Sequence, residues 1–259
     1  MASRGEFADR TCVVFGGANQ GIGYAFAREA LRAHRMRVIL CDIDGKRCQD
    51  AAKTLTINDT DAAKMIEAVQ VDISSNQDML RLEKTLSGRD VAIVINAAAV
   101  FADSAEHDSL AATSLDWELA YRVNVLGAVN VQRLAVNLLS RDKPAHLIQV
   151  SSLSAFTGGS GEPYVSSKTA LVGLTESLAR TLQRNRQQFP KLNVHVVLPG
   201  VVNTKFAVSS FRAKRLLTSS PSSSLNETRA TTMASTISKD SDQALELMEM
   251  MKMVRSHSR

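Results

Sequence analysis

Cysteine, proline and aromatic residues are scarce in these 259 residues: three Cys, five Pro, one Trp and 5% aromatics in all. Three cysteines without C-x-x-C spacing make neither a disulfide framework nor a zinc site, so no metal is expected and a reducing, cytoplasmic compartment is. Cys12 and Cys41 lie in short apolar runs and read as small core hydrophobes. No stretch approaches 18 apolar residues without a charge, which argues against a membrane span, and the opening MASRGEFADR has no apolar region of a signal peptide. Glycine stops at Gly200. Charge of one sign is also nearly absent from the main body. Residues 1–202 hold 22 Lys+Arg against 21 Asp+Glu, and residues 203–259 hold nine against five. The overall +5 is thus a property of the tail, and with few aromatics the basic face of a nucleic-acid binder is not expected.

What is present is an ordinary globular composition, 44% hydrophobic and 22% charged, with length enough for one sizeable core. Short Val/Ile-rich runs at Thr11–Phe15, Arg37–Cys41, Ala68–Val71, Val91–Ile95, His146–Val150 and Asn193–Leu198 read as buried parallel strands. Helical patterns separate them: Ile22–Ala33, a segment marked by Met79, Leu82 and Leu86, then Trp117–Leu139 and Val165–Leu182. That alternation predicts an α/β fold, a doubly wound parallel sheet of Rossmann type in three layers. Residues 1–202 are expected to form the core. Residues 203–259, with 12 Ser, six Thr and the run SSPSSS, read as a substrate lid ending in a Met-rich helix, Gln243–Val254, within the same domain.

The first strand runs into Gly17-x-x-x-Gly21-x-Gly23 and a helix. Gly17 is expected to make the tight turn, Gly21 to admit a pyrophosphate to the backbone, and Gly23 to bring the helix close to the strand. The helix N-terminus offers free N–H groups to the anion. Asp42, 19 residues after Gly23, stands where an acid bonds the ribose hydroxyls of NAD and repels the 2′-phosphate of NADP; the alternative is a cap for a helix near Gly45. Asp72 ends the third strand, facing the ligand crevice or capping Ser75–Leu86. After the fourth strand, the small residues of Ile95-Asn96-Ala97-Ala98-Ala99 leave room for a ring system or simply pack tightly. Tyr164 and Lys168 are four apart, so they share a helix face, and a cation beside a phenol depresses its pKa toward working pH. Such a tyrosine moves a proton to or from an alcohol oxygen, which Ser152 at the neighbouring strand end can hold.

Taken in order, GANQGIG at Gly17–Gly23, Asp42, Asp72, INAAA at Ile95–Ala99, Asn124 in YRVNVLG, Ser151–Ser152, YVSSK at Tyr164–Lys168 and PGVVNT at Pro199–Thr204 resemble the short-chain dehydrogenase/reductase family. The resemblance covers about three quarters of the chain. QGIG, SSL and PG-x-VNT are most similar to an NAD-dependent branch containing 15-hydroxyprostaglandin dehydrogenase. It implies an NAD-dependent oxidoreductase that exchanges a hydride between a secondary alcohol or its ketone and the nicotinamide. Tyr164 would be the acid/base, Lys168 would lower its pKa and hold the nicotinamide ribose, and Ser152 would orient the substrate oxygen. Asn124 would hold a water relaying protons from Lys168. The cradle Gly17, Asn19, Gln20, Gly21, Ile22 and Gly23, with Asp42, Asp72, Ile73, Asn96, Ala97, Pro199, Val202 and Thr204, would hold the cofactor. Phe101, Phe156, Phe206 and Phe211 suggest an apolar alcohol or ketone, or else pack in the core or the lid.

The departures from the family pattern are Gly16 where Thr is usual, Ala98 where Gly is usual, and a Ser152–Tyr164 gap one residue short. They keep open a non-catalytic dinucleotide-binding regulatory protein as the alternative. Relatives usually add a seventh strand near the C-terminus. No Val/Ile run exists there, so six strands are expected, with Asn193–Leu198 at an edge. Loss of that strand disfavours the family's tetramer and leaves a homodimer built on Trp117–Leu139 and Val165–Leu182.

Overall fold

Six short runs carrying Val, Ile and Leu lie side by side, and the central ones are apolar on both faces and covered from both. The computed structural model describes residues 5–18, 21–101, 112–158, 161–200 and 202. The lid, the Met-rich helix and the segment in which a seventh strand is not expected all lie outside the described residues, as do Asn19, Gln20 and Thr204.

The strands are β1 (Thr11–Phe15), β2 (Arg37–Asp42), β3 (Ile66–Gln70), β4 (Val91–Asn96), β5 (Ala145–Val150) and β6 (Leu192–Val197). They pair in parallel in the order β3-β2-β1-β4-β5-β6. This is the doubly wound sheet expected, and its strand order reverses between β1 and β4, where such sheets open a ligand crevice. Among the described residues β6 is an outer strand. The other outer strand, β3, begins two residues before the expected Ala68 and ends at Gln70 rather than Val71. Its half-exposed faces dilute the apolar run that marks a central strand.

Helices α1 (Ile22–Arg32), α2 (Gly45–Leu55) and the short α3 (Thr60–Ala63) precede β3. After it come α4 (Asn76–Leu86), α5 (Ser114–Ala120), α6 (Ala128–Leu138), α7 (Ser154–Thr157) and α8 (Glu162–Arg184). On one side of the sheet Phe26, Ala30 and Leu31 of α1 pack with Cys48 and Leu55 of α2 over Val14, Leu40 and Ile95. On the other, Met79 and Leu82 of α4, Leu134 of α6 and Leu182 of α8 pack over Val13, Val94 and Leu147. Each such side chain contributes roughly 1.5–3 kcal/mol by leaving water.

The single helix expected over Trp117–Leu139 is instead α5, a π-helical segment at Tyr121–Gly127, and α6. Apolar spacing does not separate the two forms, because a π segment adds a residue without breaking the apolar face. The caps are not the aspartates offered as alternatives. Asp44, not Asp42, caps α2 by accepting from the Arg47 N–H, and Ser75, not Asp72, caps α4 by accepting from the Asp78 N–H. Both aspartates at the strand ends are thereby released from capping.

Candidate active site

The loop after β1 is built by close approach. Gly16, with φ +78, makes the left-handed turn that was expected of Gly17, and a Cβ on it would lie 2.6 Å from the Ala98 nitrogen. The departure from the usual threonine therefore has a cause: only glycine fits this turn against the Ala97–Ala98 backbone. A Cβ on Gly23 would lie 2.5 Å from the Gly16 carbonyl oxygen, so the glycine lets α1 pack on the turn as expected.

The helix that follows starts differently from the four after it. α2, α3, α4 and α5 each begin at an Asp, Ser or Thr whose side chain caps the helix. α1 begins at Gly21 with no side-chain cap and no acid in its first turn. Among the described residues no side chain caps its first turn, which is the arrangement that receives a phosphate. Ile22 is half-buried behind them.

Asp42 has a role the spacing did not reveal. Its Oδ2 accepts from the Ala18 N–H at 3.0 Å and its Oδ1 from the Asp44 N–H at 3.1 Å, so it ties the glycine loop to the end of β2. Burial pushes its carboxyl up, and those two N–H donors oppose the shift. Asp72 is engaged locally: its Oδ1 accepts from the N–H and the hydroxyl of Ser74, at 2.8 and 2.7 Å. Ile73 is buried at 5% exposure. Asn96 is placed differently from the expectation of a ribose contact. Its side chain is 1% exposed and its Nδ2 donates to Gln149 Oε1 of β5 at 2.8 Å. The amide therefore joins β4 to β5 beneath the crevice, and Ala97 and Ala98 form the surface above it.

The strand end of β5 meets the first turns of α8. Tyr164 is hydrogen-bonded to Ser152, so the shortened gap does not part them. Ser152 Oγ also lies 2.5 Å from Ser154 Oγ. Phe101 packs on the tyrosine ring with centroids 5.1 Å apart. Lys168 is 3% exposed, its Nζ donates to the Val150 carbonyl at 2.9 Å, and it lies 5.6 Å from the Tyr164 ring centroid. Burial pulls this ammonium down to about 8. The phenol departs from expectation. Burial pushes Tyr164 above its usual value, and the bond to Ser152 opposes this.

Asn124 sits in the π segment, 2% exposed. Its Oδ1 accepts from the Val100 N–H at 2.8 Å, and its Nδ2 donates to the Val100 carbonyl and to Ser167 Oγ, each at 3.0 Å. Both amide protons are thus used inside the protein, and the side chain has none left to donate to a relay water. Ser154, Ser167 and Gln149 are the participants that sequence reasoning missed. Only Ser167, three residues after Tyr164 on a predicted helix, carried a signal. Pro199 closes the site, its carbonyl accepting from the Leu153 N–H at 2.9 Å, and Val202 is half-buried beyond it. Among the described residues no group of three or more His, Cys, Asp or Glu is placed to hold a metal ion.

A sheet of this order, an uncapped glycine turn and a Ser–Tyr–Lys constellation at adjacent strand ends define a dinucleotide-dependent oxidoreductase fold. A family profile described as short chain dehydrogenase matches residues 11–215. The chain is 31% identical over 203 residues to a 3-oxoacyl-[acyl-carrier-protein] reductase of Bos taurus, covering 76% of this chain and 77% of that one. It is 33% identical over 178 residues to the short chain dehydrogenase/reductase dpchG of Colletotrichum higginsianum, covering 66% of this chain and 63% of that one, less than two thirds of the relative's length. A solved short chain dehydrogenase/reductase from Burkholderia phymatum, in complex with NAD, superposes with a TM-score of 0.76 at 22% identity, covering 96% of this chain and 87% of that one. The chain belongs to the short-chain dehydrogenase/reductase family of NAD(P)-dependent oxidoreductases acting on CH–OH groups and their carbonyls. Among the described residues no helix is long and apolar enough to cross a membrane.

Proposed function

We propose that this chain oxidises a secondary alcohol, or reduces the matching ketone, with Tyr164 as the acid/base. The observation that carries the reading is the Ser152–Tyr164 hydrogen bond with Lys168 buried one helical turn away. The uncapped start of α1 and the Gly16–Gly23 close approach fit a pyrophosphate, and Gly17, Gly21, Ile22 and Gly23 would hold it together with Asn19 and Gln20. Asp72, Ile73 and Ala97 would line the adenosine end, with Asn96 beneath them holding β4 to β5 and Pro199, Val202 and Thr204 at the nicotinamide end. When bound, the nicotinamide accepts or supplies the hydride.

Ser152 holds the substrate oxygen by hydrogen bond, and Tyr164 takes its proton on oxidation or returns it on reduction. Burial raises the phenol, so this step draws on the Lys168 ammonium, which lies 5.6 Å from the Tyr164 ring centroid. An ammonium there stabilises the phenolate and lowers its pKa. Phe101 and the exposed Phe156 and Leu153 support an apolar substrate.

Asp42 supports NAD over NADP, since its carboxylate stands at the end of β2 beside the glycine loop. Residues 1–202 are read as the core and 203–259 as lid and terminal helix. The branch containing 15-hydroxyprostaglandin dehydrogenase, a cytoplasmic location and a homodimer complete the reading. Buried free thiols at Cys12, Cys41 and Cys48 favour a reducing compartment, and exposed Trp117, Tyr121 and Leu126 favour the dimer. Incubation with NAD or NADP and a panel of secondary alcohols tests the activity: NADH absorbance is expected, and cofactor binding without turnover in either direction favours the regulatory alternative. Light scattering tests the dimer, and a monomer or tetramer at low micromolar concentration refutes it.

A further inference from the structure

We infer that Ser167 is a positioning residue, the hydroxyl through which the π segment around Asn124 fixes Tyr164; the inference rests on the reading of Tyr164 as the acid/base. Ser167 is fully buried, at 0% exposure. Its Oγ donates to the Tyr164 carbonyl at 2.7 Å and accepts from Asn124 Nδ2 at 3.0 Å. A serine within a helix ordinarily bonds back to a carbonyl of the preceding turn and does little else. This one has a second partner on a different element. Through it the segment after β4, held at Val100 by Asn124, is joined to the π segment and to the first turns of α8.

The chain of bonds is closed. The serine hydroxyl gives its one proton to Tyr164 and receives one from Asn124, while Asn124 spends both amide protons and its carbonyl. Alanine at 167 nearly preserves the volume but strands a buried N–H of Asn124, which is more costly than the bond itself is favourable. The amide then turns to find a partner, the hold on Val100 loosens, and the turn carrying Tyr164 is freed from the strand ends. Tyr164 must meet both Ser152 and the substrate oxygen, so a shift of this kind reaches the proton transfer without touching the glycine loop. A misplacement of about 1 Å at a reacting group can cost roughly a hundredfold.

The test compares Ser167→Ala, Ser167→Thr and wild type with NAD and an alcohol that the wild type oxidises. The alanine variant is expected to lose roughly ten- to hundredfold in kcat with KM for NAD within about twofold, and to displace the pH profile of kcat. Threonine restores the hydroxyl, which bonds the same preceding carbonyl, and is expected to recover most of the rate. A wild-type kcat and pH profile in Ser167→Ala overturns the inference, as does equal impairment of both variants. Should alanine prevent folding, Ser167→Cys, which keeps the volume with a weak donor, is read in the same way. If the wild type turns over no alcohol or ketone, it is the oxidoreductase reading that fails. Ultraviolet titration of the Tyr164 phenol, taken as the difference from Tyr164→Phe, still tests Ser167: a displaced phenol pKa in Ser167→Ala supports it and an unchanged one overturns it.

Discussion

Replacing Lys168 by Met should make the cofactor-free protein more stable while removing its activity. The ammonium is 3% exposed and is drawn from 10.5 to about 8 by burial. A group whose folded pKa lies below its unfolded one costs stability fully below the folded value and nothing above the unfolded one, so the window is pH 8 to 10.5. At about 1.4 kcal/mol per tenfold change in proton affinity, the cost is about 3 kcal/mol at pH 7 and falls to about half of that near pH 9.5. Methionine removes that cost and forfeits the bond to the Val150 carbonyl, worth about 1 kcal/mol net. The balance is about 2 kcal/mol of stabilisation at pH 7. For a chain of this size each kcal/mol moves Tm by roughly 2–4 °C, so a rise of about 4–8 °C is expected at pH 7, shrinking to about 2 °C near pH 9.5. Calorimetric melting at the two pH values reads it directly. A variant that melts at or below wild type at pH 7, or a gap that does not narrow with pH, refutes the reasoning. Loss of turnover in the stabilised variant marks the lysine as held for chemistry rather than for the fold.

Two further substitutions test the cofactor end. Asp42→Asn keeps acceptor capacity for Ala18 but removes the charge, so NADP should improve relative to NAD by about tenfold or more on direct titration of both; an unmoved ratio makes Asp42 a loop anchor only. Gly16→Ala forces a side chain onto a φ of +78 at 2.6 Å from the Ala98 nitrogen, and should cost roughly 1–3 kcal/mol in urea unfolding and weaken NAD binding; wild-type values for both would show that the turn tolerates a Cβ.

The strands were legible because parallel strands buried on both faces are continuous apolar runs, and five of the six begin within one residue of the expected positions. The half-exposed β3 is where that signal weakens. Tyr164, Lys168 and Ser152 could be brought together from a helical spacing and a strand end alone. What local pattern does not carry is which partner a polar side chain finds across the fold. Asn96 was expected to face the crevice and instead bonds Gln149, a pairing set by the β4–β5 register of Asn96 opposite Gln149. The rise in the Tyr164 pKa follows from burial of the phenol, which the i, i+4 spacing does not encode. The partner of Asn124 in the π segment escaped for the same reason, since it is Val100, 24 residues away.

The most direct test is the comparison of wild type and Tyr164→Phe in NADH formation from a secondary alcohol, with NAD affinity measured by titration on the same samples. The phenylalanine ring preserves the packing on Phe101 and removes only the hydroxyl that meets Ser152. Turnover should fall by roughly 10²–10⁴-fold while NAD binds with nearly unchanged affinity. A Tyr164→Phe variant that keeps half the wild-type rate would contradict the account.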